Sequence, residues 1–332
     1  MQRSLQRSDG TWLLTDGHAG NLRQARALAA ALPCEVDREW TLAPSPTARR
    51  LAPRRWPGAA RNAFGTAFAS ALQAPPALAI GCGRQGALAT RLLRLQGARA
   101  VQILDPRIAT RHWDAVIAPF HDGLHGSNVL QVHGSLNPVD DRWLAEARSA
   151  FSALLELPSP RVALLLGGSS AHLRDEDAVT GWFQCLGERV REAGGSLLAT
   201  ASRRTPPAWV AALYRARAGV PGLFWRGDGD GPNPYPGLLA CAQHIVCTPD
   251  SVNMLSEAAA TRVPVQVLAP RAMRGRPSRL LAHLIDSGRL HAFDGALELG
   301  ESGEGIVPLR ETARIAALLR ERLGLPVQDI GT

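Results

Sequence analysis

Short apolar runs that end in small or polar residues, each followed by a segment of helical spacing, recur along this chain in two sets. In the first set, residues 11–15, 77–80, 100–104, 114–118 and 129–132 read as strands, with helices over 19–32 and 84–95. In the second, strands are expected at 161–166, 196–200, 222–225, 244–247 and 263–268. Helices are expected there at 176–193, 207–217, 235–242, 252–260 and 278–287, with a last one at 309–323. Strands alternating with helices predict parallel, doubly wound sheets. Between the sets a helix over 139–155 runs into Pro158-Ser159-Pro160, the best linker in the chain. The expected organisation is therefore two Rossmann-like α/β domains facing a central cleft, over 1–157 and 161–308, followed by a helix and tail over 309–332. Segment 42–76 fits this pattern least. It is rich in Pro and Arg, carries Trp56, Phe64 and Phe68, and reads as an irregular or amphipathic insertion.

Composition narrows the function classes. With 332 residues, 45% hydrophobic and 20% charged, the chain can bury the cores of two domains, so general disorder is excluded. No run reaches the roughly 18 apolar residues of a membrane span, and residues 1–11 lack the apolar stretch of a signal peptide. The five cysteines form no CxxC pair, which argues against a zinc knuckle or a disulfide framework and for a reducing cytoplasm. No metal cluster and no cofactor are expected. All basic residues are Arg, and the formal charge is +8. That charge is regional: between Glu39 and Asp105 there is no acid, yet Arg49, Arg50, Arg54, Arg55, Arg61, Arg84, Arg91, Arg94 and Arg99 fall there. The block over 49–99 points to an anionic surface, such as the inner face of a membrane. Nucleic acid is set aside for want of a recognition motif.

In an open parallel sheet, ligands bind outside the carboxyl ends of the strands. In the first set those ends carry Asp16-Gly17-His18 with Gly20 and Asn21, then Gly83, Arg107, and His121-Asp122. His18 in a Gly-flanked loop is a candidate general base with Asp16 beside it, or a His bonding its own loop. His121-Asp122 is a second acid/base candidate. In the second set, Gly167-Gly168-Ser169-Ser170 offers amides and hydroxyls to a phosphate, or is a plain strand-to-helix turn. It lacks the GK[ST] of a nucleotide-binding P-loop, and no complete GxGxxG is present. Ser202-Arg203-Arg204-Thr205 puts two guanidiniums at a strand end, for a phosphate or for solvent. Asp250-Ser251-Val252-Asn253 opens a helix with Ser251 as N-cap. Glu257 lies farther along that helix, to accept two sugar hydroxyls or to face water.

Taken together, Thr15-Asp16-Gly17-His18-Ala19-Gly20-Asn21, Ser202-Arg203-Arg204-Thr205-Pro206, Asn233-Pro234-Tyr235 and Thr248-Pro249-Asp250-Ser251 with Ser256-Glu257 resemble the mitochondrial fission protein family. That family includes a plant protein that recruits a dynamin-related GTPase, and many bacterial relatives. It is in turn similar to GT-B glycosyltransferases, especially the peptidoglycan N-acetylglucosaminyltransferase. The resemblance implies a nucleotide-sugar substrate, UDP-linked by preference, in the C-terminal domain. Gly168, Ser169 and Ser251 would lie by the diphosphate, Glu257 would hold the ribose, and the segment from Trp225 to Tyr235, with Asn233, would lie near the base. The N-terminal loop would face the acceptor, with His18 as base. The basic block over 49–99, resting on anionic lipid, points to a lipid or envelope-glycan acceptor. A non-catalytic scaffold that binds a protein partner is the alternative.

Overall fold

The computed structural model describes residues 8–32, 34–169, 173, 175–270, 273–293, 295 and 305–325. Ser170 lies outside them. The chain divides into two compact units, Met1–Pro138 with Glu311–Thr332, and Val139–Arg310.

The first unit runs β1 (Ser8–Thr15), α1 (Ala19–Ala31), β2 (Val36–Thr41), α2 (Pro46–Leu51), α3 (Ala59–Asn62), α4 (Gly65–Ala71), β3 (Pro76–Cys82), α5 (Gly83–Leu95), β4 (Arg99–Ile103), β5 (Ala115–Pro119) and β6 (Val129–Val132). Its sheet is all parallel, in the order β2-β1-β3-β4-β5-β6. The second unit runs α6 (Asp141–Ala150), β7 (Arg161–Leu166), α7 (Glu176–Glu192), β8 (Ser196–Ala201), α8 (Pro207–Ala216), β9 (Gly222–Trp225), α9 (Tyr235–Cys241), β10 (His244–Cys247), α10 (Val252–Ala259), β11 (Val265–Leu268), α11 (Arg276–Asp286) and β12 (His291–Phe293). Its sheet, also parallel, has the order β12-β11-β10-β7-β8-β9. The last helix, α12 (Glu311–Leu323), returns to the first unit. Both sheets reverse direction internally, between β1 and β3 and between β7 and β10, and such a reversal opens a crevice at the strands' carboxyl ends.

The expected domain boundary moves. The helix before Pro158-Ser159-Pro160 belongs to the second unit, not the first. Asp141 at the start of α6 receives Arg262 at 3.1 Å and Arg310 at 2.9 Å, and Arg148 donates to the Ala240 carbonyl at 3.3 Å. These two guanidiniums hold the Asp141 carboxyl down at about 2. The helix also ends earlier than expected. Phe151 leaves helical geometry, and a 3-10 turn follows over Ser152–Glu156. Conversely, α12 is fixed to the first unit. Its Glu311 accepts the His133 amide at 2.7 Å, and its Ile315 and Leu319 are buried against Leu13, Leu28 and Val101.

The insertion is a folded layer. Ser45 caps α2 by accepting the Ala48 amide, with Pro46 at the first helical position. From α2 to α4, Ala48, Ala59, Phe64 and Phe68 pack on Trp12, Leu14 and Leu88. Phe68 stacks edge-on to Trp40 at 5.4 Å and to Phe64 at 5.1 Å. Arg84 of α5 clamps the layer from below, donating to the carbonyls of Ala52 at 2.5 Å, Arg50 at 2.7 Å and Arg49 at 2.9 Å. Phe64 and Phe68 are therefore core, and of the three aromatics only Trp56 keeps partial exposure. The sequence signal fails here because each helix is too short to show a full hydrophobic stripe. No described helix is long and apolar enough to cross a membrane.

Candidate functional site

In the second unit the loops after β7, β8 and β10 are knotted through one carboxylate. Asp250, 3% exposed at its side chain, accepts the Gly168 amide at 2.7 Å and the Arg204 guanidinium at 3.2 Å on Oδ2. Its Oδ1 accepts the Thr248 hydroxyl at 2.8 Å, and that hydroxyl accepts the Gly167 amide at 2.8 Å. Thr205 donates to the Gly167 carbonyl at 2.5 Å and accepts the Ser202 amide at 2.8 Å. Glycine is required at 167: a Cβ there would stand 2.1 Å from Asp250 Oδ1. The sequence offered the Gly167 and Gly168 amides to a phosphate. Both instead donate within the chain, so these two glycines serve to let β7 end against Asp250. Thr248 entered the sequence reading only as part of a segment, yet its hydroxyl links two of the loops. Its place next to a strand end and two residues before an Asp is the signal that could have found it.

What faces outward at this edge differs. Ser169 and Arg203 are exposed, and Arg203 makes no side-chain bond among the described residues. Ser251 caps α10 by accepting the Met254 amide at 3.4 Å, so the helix presents its amino end, and Asn253 in its first turn, at this edge. Glu257 is 3% exposed, which rules out the solvated helix position open to it in the sequence. Asn233 and Tyr235 sit at the start of α9, beyond the outer strand β9. There Asn233 Oδ1 accepts the Tyr235 amide at 3.0 Å, a local turn bond.

In the first unit the loops after β1 and β3 meet at Asp16. Its Oδ1 accepts Asn21 Nδ2 at 2.9 Å and the His18 amide at 3.2 Å, and lies 3.0 Å from His18 Nδ1. Burial pushes the Asp16 carboxyl up, but the bonds from Asn21 and His18 outweigh it and leave its pKa below the ordinary value. His18 is the N-cap residue of α1 and its side chain is 80% exposed. With Nδ1 facing Asp16, the imidazole turns Nε2 outward, the arrangement a general base needs. Gly17, at φ +80°, makes the turn; Gly20 lies in the first turn of α1. Gly83, at φ +76°, brings the second loop in, since a Cβ there would stand 2.7 Å from Asn21 Nδ2.

The remaining first-unit candidates do not join that cluster. Arg107 pairs with Asp105 at 3.2 Å in a groove of about 510 Å³ with Ile108 and His125. His121 is 6% exposed and packs edge-on to Phe120, which in turn packs against His133 at 4.9 Å. It is a buried residue, not an acid/base group presented to solvent, and Asp122 shares its 3-10 turn. No group of three or more His, Cys, Asp or Glu that could hold a metal exists among the described residues.

The family model described as mitochondrial fission ELM1 matches residues 19–323. The mitochondrial fission protein ELM1 of Arabidopsis thaliana is 27% identical over 276 residues, covering 75% of this chain and 64% of the plant protein. The chain thus spans less than two thirds of that relative's length. Among solved structures, the UDP-GlcNAc 2-epimerase of Methanocaldococcus jannaschii aligns with a TM-score of 0.59 at 12% identity, over 94% of this chain and 99% of that one. MurG of Acinetobacter baumannii aligns with a TM-score of 0.51 at 14% identity, over 95% and 99%. The architecture is therefore that of GT-B proteins, and the chain belongs to the mitochondrial fission ELM1 family.

Proposed function

We propose that this protein binds a nucleotide-sugar, UDP-linked by preference, at the carboxyl edge of the second sheet and transfers the sugar to an acceptor hydroxyl. The observation that carries this reading is the reversal of strand order between β7 and β10, with the amino end of α10 at that edge and Arg203, which makes no side-chain bond among the described residues, at the end of β8. A fold shared with an enzyme named for UDP-GlcNAc supports the choice of ligand. Because Gly167 and Gly168 already spend their amides on Thr248 and Asp250, the diphosphate falls to the first amides of α10, to Arg203 and to Ser169. Glu257 and Asn233 remain the candidates for the nucleoside.

In the reaction, the acceptor oxygen attacks the anomeric carbon while its proton passes to His18 Nε2. The bond from that carbon to the diphosphate breaks, and its electron pair leaves with the diphosphate oxygen. Arg203 and the α10 amides stabilise that charge as it develops. Asp16 fixes the imidazole through Nδ1, which leaves Nε2 turned outward for the acceptor's proton. The acceptor is inferred to be a lipid or envelope glycan. Arg49, Arg50, Arg54 and Arg61 stand exposed on and after α2, and an anionic bilayer would attract each by about 1 kcal/mol.

A second reading has its own support. The knot around Asp250 satisfies its groups within the chain, as a purely structural element would, and the plant relative is named for fission. In that reading the chain is a non-catalytic scaffold for a protein partner. A thermal-shift screen against UDP, GDP, ADP, TDP and their common sugars separates the two. A nucleotide-selective rise in midpoint supports the transferase, and no rise with millimolar ligand supports the scaffold. If transfer survives in His18→Ala, the base is wrongly assigned.

A further inference from the structure

The amino edge of the first sheet, opposite the Asp16 cluster, concentrates positive charge with almost no counter-charge. Arg91 and Arg94 end α5, Arg99 opens β4, His112 precedes β5, and Arg55 reaches in from the loop after α2. Together with Leu95 they line a groove of about 370 Å³. Its one acid is Asp114, and both of its oxygens are taken. Oδ1 accepts Arg94 at 2.9 and 3.1 Å, and Oδ2 accepts the Ala100 amide at 2.7 Å.

Apart from the Arg94–Asp114 pair, the guanidiniums held in the groove are anchored by backbone carbonyls. Arg91 donates to Pro53 at 2.6 Å, Arg94 to Arg111 at 3.2 Å, and Arg99 to Leu323. Carbonyl anchors fix the direction of a guanidinium without neutralising it. Arg55 is exposed and makes no side-chain bond among the described residues. The crowding is felt within the groove. Burial lowers the pKa of His112, and Arg91, Arg111, Arg94 and Arg55 lower it further. Burial lowers that of Arg91, with Arg55 adding to it. Like charges held this close repel unless an anion lies among them. The planar forks suit phosphate oxygens, which they bind two at a time.

We propose that this groove is a binding site for a phosphate-bearing anion, a phosphomonoester or an oligophosphate, separate from the nucleotide-sugar edge. The phosphate can belong to a soluble compound or to a lipid headgroup. The adjoining groove of about 670 Å³, which shares Arg55 and Leu95 and adds Trp56, offers apolar surface beside it.

The test is calorimetric titration of the full chain with pyrophosphate at low ionic strength, and sedimentation with phosphatidylcholine vesicles with and without phosphatidate. Arg55→Gln is the diagnostic variant because Arg55 makes no side-chain bond among the described residues. It should keep the wild-type melting midpoint and bind pyrophosphate at least tenfold more weakly. Arg203→Gln should leave this binding intact, which sets it apart from any pyrophosphate held at the second sheet. On binding, the His112 pKa seen by NMR should rise, because an anion favours the imidazolium. Pyrophosphate binding without vesicle binding identifies a soluble ligand. Phosphatidate-dependent sedimentation that pyrophosphate competes away identifies a headgroup. No saturable pyrophosphate binding, or binding that Arg55→Gln leaves unchanged, overturns the proposal.

Discussion

The two sheets reverse at equivalent places, yet their carboxyl edges are built in opposite ways. In the second unit a buried carboxylate, Asp250, gathers three loops and spends both oxygens on them. In the first unit Asp16 bonds only within its own loop, to Asn21 and His18, while the loop after β3 merely packs against it, and the imidazole it steers stands 80% exposed. One edge is framework, and on the proposed function its ligand-binding groups lie outside the knot. The other presents the proposed base directly. A buried charge whose partners are removed is expensive, whereas an exposed one is not. Substitutions should therefore separate the edges by stability as well as by chemistry.

The largest effect is expected at Asp250→Ala. It leaves the Gly168 amide without its acceptor, so urea denaturation should show a loss of about 3 kcal/mol or more. Gly83→Ala comes next, because φ +76° and a contact at 2.7 Å both oppose a Cβ; about 1–2 kcal/mol should be lost. Asp16→Asn should cost about 1 kcal/mol near neutral pH. Its pH dependence sharpens the contrast. A carboxylate whose folded pKa lies below its ordinary 3.8 contributes fully above that value, and its contribution is lost as pH falls through the folded pKa. The acid limb of the stability curve should therefore be shallower in Asp16→Asn than in the wild type. The smallest effect is expected at His18→Ala, within about 0.5 kcal/mol in the same denaturation, while sugar transfer is lost. If His18→Ala destabilised as much as Asp250→Ala, the distinction between the edges would collapse.

Most of the central strands were legible because a parallel sheet buried on both faces writes near-continuous apolar runs such as Val-Ala-Leu-Leu-Leu in β7. The two strands that were not, β2 and β12, are the outermost of their sheets. Val-Asp-Arg-Glu-Trp-Thr in β2 is almost wholly exposed, and β12 has three residues. An edge strand is held by one neighbour's backbone, and its side chains need not be apolar. The site was legible as positions and only partly as roles. The Gly-rich and Asp-containing strand ends stood out. Which amide meets which carboxylate depends on loops brought together from β7, β8 and β10, and no local pattern encodes that. His121 misled for the same reason: a His-Asp pair at a strand end looks alike whether it turns outward or packs beneath Phe120.

Binding of UDP, measured by titration calorimetry on the wild type and on Arg203→Gln, tests the central claim most directly. The account predicts saturable binding to the wild type, weakened at least tenfold in Arg203→Gln with no change in melting midpoint. No binding of UDP, or equal binding by both proteins, would contradict it.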